Sequence, residues 1–242
     1  APFSTVTGAI HSVPAILQEG FVPLAVEFVE HEAVRASERL LNKTWPARGG
    51  TASLMVVLDG AEEALVMSQA ERIGEILERQ GALEVFLADQ KARQQEILEL
   101  RSMIYEALRP GTAELFDVCV PRGEISGHVE HVHALGERLG VDLPTYGHAA
   151  DGNVHTNFMR LRLRDGQLGE EVPGWQGLHA EVRREILEDA IRRRGIISAE
   201  HGIGLAKRDY LTRNLGETPV ALMRSLKAAL DPQGILNPDK IF

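Results

Sequence analysis

The sequence predicts a fold of mixed helices and strands that contains at least one antiparallel strand pair. Short apolar runs with a period of two residues alternate with longer stretches whose apolar residues recur every three or four positions. The turn sequence Asp151-Gly152-Asn153 favours a hairpin, and no glycine-rich phosphate loop follows a predicted strand. These observations argue against a parallel doubly wound sheet, although periodicity alone leaves the sheet type open.

Three apolar segments predict β-strands. Val22–Phe28 carries apolar residues at every second position, as a half-buried strand does. Leu54–Leu58 is a continuous apolar run bounded by glycines, which predicts a strand in the centre of the sheet. Phe116–Val120 alternates again, and Pro121 ends it because proline cannot donate to a strand ladder.

Three segments predict amphipathic helices. Apolar residues line one face of Val66–Leu77 and of Ile125–Leu139, and Gly140 then stands where a helix C-cap is expected. The third helix, Val182–Ala190, continues into Arg192–Arg194. Cations in a last helical turn complement the helix dipole, so these arginines do not predict a binding patch.

A further helix is predicted near the C-terminus, where Thr218 suits the cap and Pro219 the first helical position. Its apolar spacing predicts a buried face made of Leu222, Leu226 and Leu230. Residues 164–177 are rich in turn dipeptides and predict the longest loop, a candidate lid or a seam between subdomains.

Composition and charge exclude several classes of protein. The chain has 242 residues, of which 44% are hydrophobic and 25% charged, as in a globular protein with its own core. Its 26 basic and 35 acidic residues give a net charge of −9, so nucleic acid is not an expected partner. No apolar run is long enough to span a bilayer, and we expect no signal peptide. The single cysteine, Cys119, excludes an internal disulfide and predicts a cytoplasmic protein with a buried, inert thiol.

The predicted hairpin brings two histidines together. His148 precedes the turn and His155 follows it, so the chain folds back with both imidazoles near one point. Two neutral imidazoles suit a transition-metal ion, usually Zn²⁺ or Mn²⁺. From the spacing alone, two unrelated histidines that flank a turn remain an alternative. His179 is set aside as a surface or core residue of a helix.

A second cluster contains Glu200 and His201, followed by Gly202 and Gly204. In an extended segment, neighbouring side chains point to opposite sides, so one can hold a metal while the other accepts a proton from a substrate. The two glycines permit close approach of the backbone to a flat ligand. An ordinary glycine-rich loop with a solvated Glu and His remains the alternative.

Three motifs occur in order along the second half of the chain. They are Gly147-His148-x-x-Asp151-Gly152-Asn153-x-His155-x-Asn157, Glu200-His201-Gly202-Ile203-Gly204-x-x-Lys207 and Asp231-Pro232-x-Gly234-Ile235-Leu236-Asn237-Pro238-x-Lys240. In this combination the chain resembles the C-terminal region of FAD-linked oxidases, the group that includes glycolate oxidase, D-lactate dehydrogenase and D-2-hydroxyglutarate dehydrogenase. Asp117–Pro121 also resembles that family's substrate-domain strand, and the resemblance extends over essentially all 242 residues.

The resemblance implies an α+β fold, an antiparallel sheet of the ferredoxin-like cap type covered by helices, with a helical C-terminal segment. Residues 1–163 would form the sheet-rich cap, and the mostly helical residues 175–242 would face the flavin. In such enzymes a separate N-terminal domain binds most of the FAD. Nothing in this chain resembles that domain, so the expected partner is an FAD-binding domain or a separate flavin-binding chain.

The resemblance also assigns roles to residues. His201 would abstract the proton of the substrate hydroxyl. Arg101 and Asn157 would contact the substrate, and Asn237 would lie near the flavin together with Gly202 and Gly204. The implied metal ligands are His148, His155 and Glu200.

Three positions depart from the family pattern. Ala150 and Asp239 stand where the family usually has glycine, which makes the turn before Asp151 less free and places a negative charge near the flavin edge. Leu115 stands where some members that act on hydroxy diacids carry a lysine. This last difference slightly favours a short monocarboxylate as substrate.

The resemblance therefore predicts the substrate- and metal-binding domain of an FAD-dependent 2-hydroxy-acid dehydrogenase, with FAD and with Zn or Mn as cofactors. The substrate would be a small hydroxy acid similar to D-lactate or glycolate, and the chain alone would be inactive. Two alternatives stay open, a stand-alone metallohydrolase using His148, His155 and Glu200, and a non-catalytic assembly domain. Contact with a membrane surface or an electron carrier and formation of a homo-oligomer also stay open.

Overall fold

A computed structural model describes all residues, 1–242, as eight strands and ten α-helices. The strands are β1 (Pro2–Phe3), β2 (Ala25–Glu30), β3 (Ala52–Val57), β4 (Thr112–Cys119), β5 (Thr145–His148), β6 (Asn153–Met159), β7 (Leu161–Arg164) and β8 (Gln167–Glu171). The helices are α1 (Val6–His11), α2 (Val13–Gln18), α3 (His31–Leu41), α4 (Glu63–Arg79), α5 (Lys91–Ser102), α6 (Ile104–Leu108), α7 (Ile125–Leu139), α8 (Trp175–Arg192), α9 (Arg208–Leu215) and α10 (Glu217–Leu230).

Six strands form one sheet in the order β1-β3-β2-β5-β6-β4, and every neighbouring pair is antiparallel. β7 and β8 form a separate hairpin. The α+β class with an antiparallel sheet is therefore confirmed, and the chain has no parallel strand pair. No helix combines the length and the hydropathy that crossing a bilayer requires.

Both faces of the sheet are covered, because side chains alternate along each strand. On one face, a cluster of 31 buried residues joins the strands to α1, α2, α4, α7 and α8. On the other, a cluster of 12 buried residues joins them to α3, α5 and α6. In β6, Val154 and Phe158 belong to the larger cluster, so His155 and Asn157 face the side of the smaller one.

Two strand predictions differ from the structure. The strand predicted over Val22–Phe28, β2, begins only at Ala25, and Val22 is 92% exposed, because the partner strand β3 ends at Val57, opposite Ala25. The strand predicted to be central, β3, lies next to the edge, with only the two residues of β1 outside it. The last three residues of β3 are only half-buried. A continuous apolar run therefore does not distinguish a central strand from one next to the edge.

The segment predicted as the longest loop, residues 164–177, instead contains the β7–β8 turn and strand β8. Asp165 and Gly166 both have positive φ, 50° and 70°, as the two central residues of a tight hairpin turn do. Asp165-Gly166 is thus the turn of a hairpin, and α8 begins soon after β8, at Trp175. The prediction of a long loop is therefore wrong.

The helices over Val66–Leu77 and Ile125–Leu139 are confirmed as α4 and α7, and Gly140 caps α7 with φ 63°. The last helix, α10, is also present, but its predicted buried face is wrong. Leu222, Leu226 and Leu230 are 61%, 55% and 80% exposed. The only buried residue of α10 is Val220, because α10 packs on α9 and nothing else in this chain covers its leucines.

Candidate active site

The β5–β6 hairpin places two histidines on the same face of the sheet. Tyr146 lies directly opposite His155 in the strand register, so His148 is diagonal to His155. The two imidazole rings stand edge to face, with their centroids 5.7 Å apart. The structure therefore brings together the two histidines that flank the turn.

Backbone contacts on both sides of the turn require glycine. A Cβ on Gly147 would lie 2.2 Å from the carbonyl oxygen of Asn153, and one on Gly152 would lie 2.0 Å from that of Val120. Gly152 also has φ 95°, which side chains rarely adopt. The contact at Gly147 holds the two hairpin strands together, and the contact at Gly152 fixes the turn against the residue that follows β4.

Glu200 approaches the histidine pair from the loop between α8 and α9. One ligand atom each of His148, His155 and Glu200 lies within 4.8 Å of the others. His148 Nε2 is 3.5 Å from Glu200 Oε1. Two imidazole nitrogens and one carboxylate oxygen match the donor set of zinc sites that have three protein ligands and an open position.

Glu27, which sequence reasoning missed, lies directly beneath this group. It pairs with His148 in the β2–β5 register, and its Oε1 accepts a hydrogen bond of 2.6 Å from His148 Nδ1. This bond raises the pKa of His148. Burial acts to raise the pKa of Glu27, but its bonds with His148 and Arg101 outweigh burial and lower it. In the neutral form this bond places the proton on Nδ1, which leaves the Nε2 lone pair to bind a metal.

Arg101 reaches the same face from α5. Its guanidinium donates to Glu27 Oε2 at 2.6 Å and lies 5.0 Å from the ring centroid of Tyr146. Its Nε is buried without a hydrogen-bond partner. Arg101 therefore lies at the border of the site. Its Nε–H donor is unused, and its guanidinium forms an ion pair with the carboxylate of Glu27.

Asn157 is fully buried beside these residues. Its Oδ1 accepts from the Thr112 hydroxyl at 3.2 Å, and its Nδ2 donates to the Tyr146 hydroxyl at 3.4 Å. The amide thus has one N–H and one Oδ1 lone pair that these two bonds do not use.

The loop that carries Glu200 and His201 is held by Asp117 of β4, a second residue that sequence reasoning missed. Asp117 Oδ2 accepts hydrogen bonds from the backbone N–H groups of Ala199, Glu200 and His201 at 3.1, 2.9 and 2.9 Å. The segment is bent at these residues rather than extended as expected. No local pattern indicates this contact, since the partners lie more than 80 residues apart.

His201 completes the cluster. Its ring stacks on that of His155 with centroids 5.7 Å apart, and its side chain is 43% exposed. Its Nδ1 lies 3.9 Å from Asp117 Oδ2, so Nδ1 is the ring nitrogen that faces the carboxylate. Burial lowers the pKa of His155 to about 4, so that imidazole is neutral at pH 7 and available as a ligand.

The three residues expected near the flavin are exposed. Gly202 and Gly204 have φ 78° and 53°, and a Cβ on either would meet no atom within 4 Å. Asn237 lies in the tail with φ 46°, and its side chain makes no hydrogen bond. Open backbone at Gly202 and Gly204 leaves room for a flat group to approach next to His201.

An apolar strip accompanies these residues. It consists of exposed side chains on α10, the loop before α9 and the tail: Leu205, Leu222, Leu226, Leu230, Ile235 and Leu236. Leu222, Leu226 and Leu230 follow one another at helical spacing along α10, and exposed apolar patches mark surfaces that contact other proteins or ligands. We call this set the leucine strip.

Cys119 is half-buried, and its Sγ lies 3.4 Å from the carbonyl oxygen of Asp151. Burial raises the pKa of this thiol. It is therefore a weak nucleophile at neutral pH.

Comparison with known families shows which family the chain belongs to. Residues 1–241 match the family model described as "FAD linked oxidases, C-terminal domain". The chain belongs to this family. The D-lactate dehydrogenase of Archaeoglobus fulgidus is 35% identical to it over 240 residues, which are 99% of this chain and 50% of that protein. The glycolate oxidase protein GlcD of Bacillus subtilis is 31% identical over 246 residues, 100% of this chain and 50% of that protein.

A solved structure shows the same fold. The 4-ethylphenol oxidase from Gulosibacter chungangensis superposes with a TM-score of 0.60 at 15% identity, covering 99% of this chain and 52% of that one. This FAD-linked oxidase domain thus spans about half the length of the relatives that it matches.

The structure explains one of the two departures from glycine. Ala150 has no positive φ, so the turn does not need glycine there. Asp239 has φ 58°, in the region that favours glycine, so this residue holds a strained backbone in the tail.

Proposed function

We propose that this chain is the substrate- and metal-binding domain of an FAD-dependent dehydrogenase that oxidises a short 2-hydroxy acid, similar to D-lactate or glycolate, to the 2-oxo acid. The family and the names of the relatives support this class of reaction. The observation that carries the proposal is the convergence of His148, His155 and Glu200 beside the exposed ring of His201. A proton acceptor next to a cation site is what removal of a hydroxyl proton needs.

The residues present fit a resident Zn or Mn ion. His155 is neutral, and in neutral His148 the bond to Glu27 places the proton on Nδ1, so that Nε2 carries the lone pair. The carboxylate of Glu200 supplies the third donor. When bound, the metal would act as a Lewis acid that polarises the substrate hydroxyl.

The chain's own side chains would bind and deprotonate the substrate. Arg101 would hold the carboxylate with donors that Glu27 does not occupy, and Asn157 would contact the substrate through the N–H that Tyr146 does not use. His201 would accept the hydroxyl proton at Nε2, because its Nδ1 faces Asp117. The electron pair left on the substrate oxygen then forms the C=O bond as hydride leaves Cα.

The flavin side of the site would come from a partner domain or a separate chain. FAD bound there would supply the hydride acceptor that oxidation of the hydroxy acid needs. In this chain Gly202, Gly204 and Asn237 would lie against the flavin edge. The leucine strip would pack on the partner, which explains why this chain leaves those side chains uncovered.

The proposal is tested by comparing the chain alone with the chain joined to its FAD-binding partner. We expect the 242-residue chain to be colourless and inactive, and the joined enzyme to reduce a dye with lactate or glycolate. His201→Ala in the joined enzyme should lower kcat by about 10²–10⁴-fold, the usual contribution of a general base. His179→Ala is a matched control, because His179 pairs with Glu114 instead.

Two outcomes would contradict the proposal. Tight stoichiometric FAD binding by the isolated chain would show that the cofactor site lies within it. Hydrolase activity with bound metal and no flavin would indicate a metallohydrolase.

A further inference from the structure

Asp117 is a carboxylate buried in the middle of β4. It is fully buried and lies directly opposite His155 in the β4–β6 register. Burial acts to raise the pKa of Asp117, but hydrogen bonds from the backbone of His201 and Glu200 outweigh it and lower the pKa. A buried charge is stable only where it is well bonded, so the partners of its two oxygens indicate what it does.

One oxygen anchors the loop. Oδ2 accepts from three consecutive backbone N–H groups, those of Ala199, Glu200 and His201. The Ser198 hydroxyl lies 3.2 Å from Oδ2 and 2.9 Å from the Gly202 carbonyl oxygen. These bonds fix the backbone of the two residues proposed as metal ligand and proton acceptor.

The other oxygen faces a metal-ligand histidine. Asp117 Oδ1 and His155 Nδ1 are both buried without a hydrogen-bond partner, and they lie 3.8 Å apart. They belong to residues directly opposite each other on neighbouring strands. A carboxylate in this position favours the imidazole form that carries its proton on Nδ1.

Asp117 does not suit the role of metal ligand. Asp117, His155 and His201 place one ligand atom each within 4.8 Å of the others, which resembles a second metal group. Oδ2, however, already accepts three backbone hydrogen bonds. The ammonium of Lys207 also lies 3.8 Å from Oδ2 and would repel a cation. The carboxylate therefore fits an orienting role.

We infer that Asp117 is a positioning residue that sets both halves of the metal site at once. Through Oδ2 it holds the Glu200–His201 backbone, and through Oδ1 it keeps the proton of His155 on Nδ1, so that Nε2 is free to bind the metal. This inference rests on the proposed function for the identity of the metal ligands, but the tautomer of His155 is a property of the metal-free chain.

The variant Asp117→Asn separates the two contacts. Its amide oxygen must face the three backbone N–H groups, because an NH₂ group there would meet only donors. The NH₂ group is then turned toward His155 Nδ1, which must become an acceptor. The proton of His155 moves to Nε2, the nitrogen that the metal requires.

The first measurement is the tautomer of His155, read from imidazole ¹⁵N shifts in the metal-free chain at pH 7 and assigned with His155→Gln. We expect Nδ1–H in the wild type and in the control Ser198→Ala, which keeps Oδ1 intact, and Nε2–H in Asp117→Asn. An Nε2–H tautomer in the wild type would overturn the inference whether or not the variant folds. An unchanged tautomer in a folded Asp117→Asn chain would also overturn it.

The second measurement is the affinity for Zn²⁺ by calorimetric titration. Asp117→Asn should bind about 10–100-fold more weakly than wild type, the usual cost of losing a residue that orients a ligand. Equal affinities would overturn the inference. If the tautomer changes but the wild type binds no Zn²⁺ or Mn²⁺, the metal site of the proposed function fails and the positioning of His155 by Asp117 stands.

Discussion

Replacing Gly152 by alanine tests the hairpin on which the site depends. Gly152 has φ 95°, and an added Cβ would lie 2.0 Å from the Val120 carbonyl oxygen, far inside contact distance. A left-handed backbone costs a side chain about 1–2 kcal/mol. Forcing atoms into packed space costs about 1–3 kcal/mol more. We therefore expect Gly152→Ala to lower the free energy of unfolding by about 2–5 kcal/mol.

Gly140→Ala is the matched control for this experiment. Gly140 also has a left-handed backbone, φ 63°, but a Cβ there meets no atom within 4 Å. Its cost should be the backbone strain alone, about 1–2 kcal/mol. Urea unfolding of both variants, with unchanged m-values, measures the difference. Equal losses would refute the close approach of the turn to β4. Weaker Zn²⁺ binding by Gly152→Ala alone would tie the hairpin to the site.

Three further outcomes follow from the site and the leucine strip. Glu27→Gln should weaken Zn²⁺ binding by about 10–100-fold in calorimetric titration, because it removes the carboxylate that orients His148; an unchanged affinity would deny that role. The pKa of His155 is about 4 when folded and about 6.5 when unfolded, so the unfolded metal-free chain binds more protons between these values and stability falls as the pH falls. The free energy of unfolding should be about 2 kcal/mol lower at pH 5 than at pH 7 from this group, a loss that would be absent from His155→Gln. Leu226→Ala should change the free energy of unfolding by less than about 0.5 kcal/mol and weaken association with the FAD-binding partner, whereas Val220→Ala, at a buried position, should destabilise the chain. Similar losses in the free energy of unfolding for the two variants would show that the leucine strip is packed within the chain.

The hairpin and its histidines could be predicted because their information is local. Asp151 and Gly152 supply the turn, and the spacing of His148 and His155 about it sets which side chains meet. The first half of the site therefore follows from a few consecutive residues.

The orienting carboxylates could not be predicted in this way. Glu27 occupies a polar position in an alternating strand, which is typical of a residue that faces solvent, and His148 is 121 residues away. Asp117 lies between two buried apolar residues, which indicates burial but not its partners. Both roles arise from strand order and loop packing, which periodicity leaves undetermined.

The error in α10 has a different cause. The spacing of Leu222, Leu226 and Leu230 correctly indicates an apolar helix face, but burial depends on what covers that face. In this chain nothing covers it. In the proposed function, the FAD-binding partner covers this apolar face.

The most direct test of the account is the metal content of the chain and of two histidine variants. After titration with Zn²⁺ or Mn²⁺ at neutral pH and removal of excess metal, elemental analysis should find about one ion per wild-type chain. His179→Ala should bind the same amount, since its imidazole pairs with Glu114 instead, and His155→Ala should lose most of it. Equal metal content in wild type and His155→Ala would contradict the claim that His148, His155 and Glu200 form a metal site.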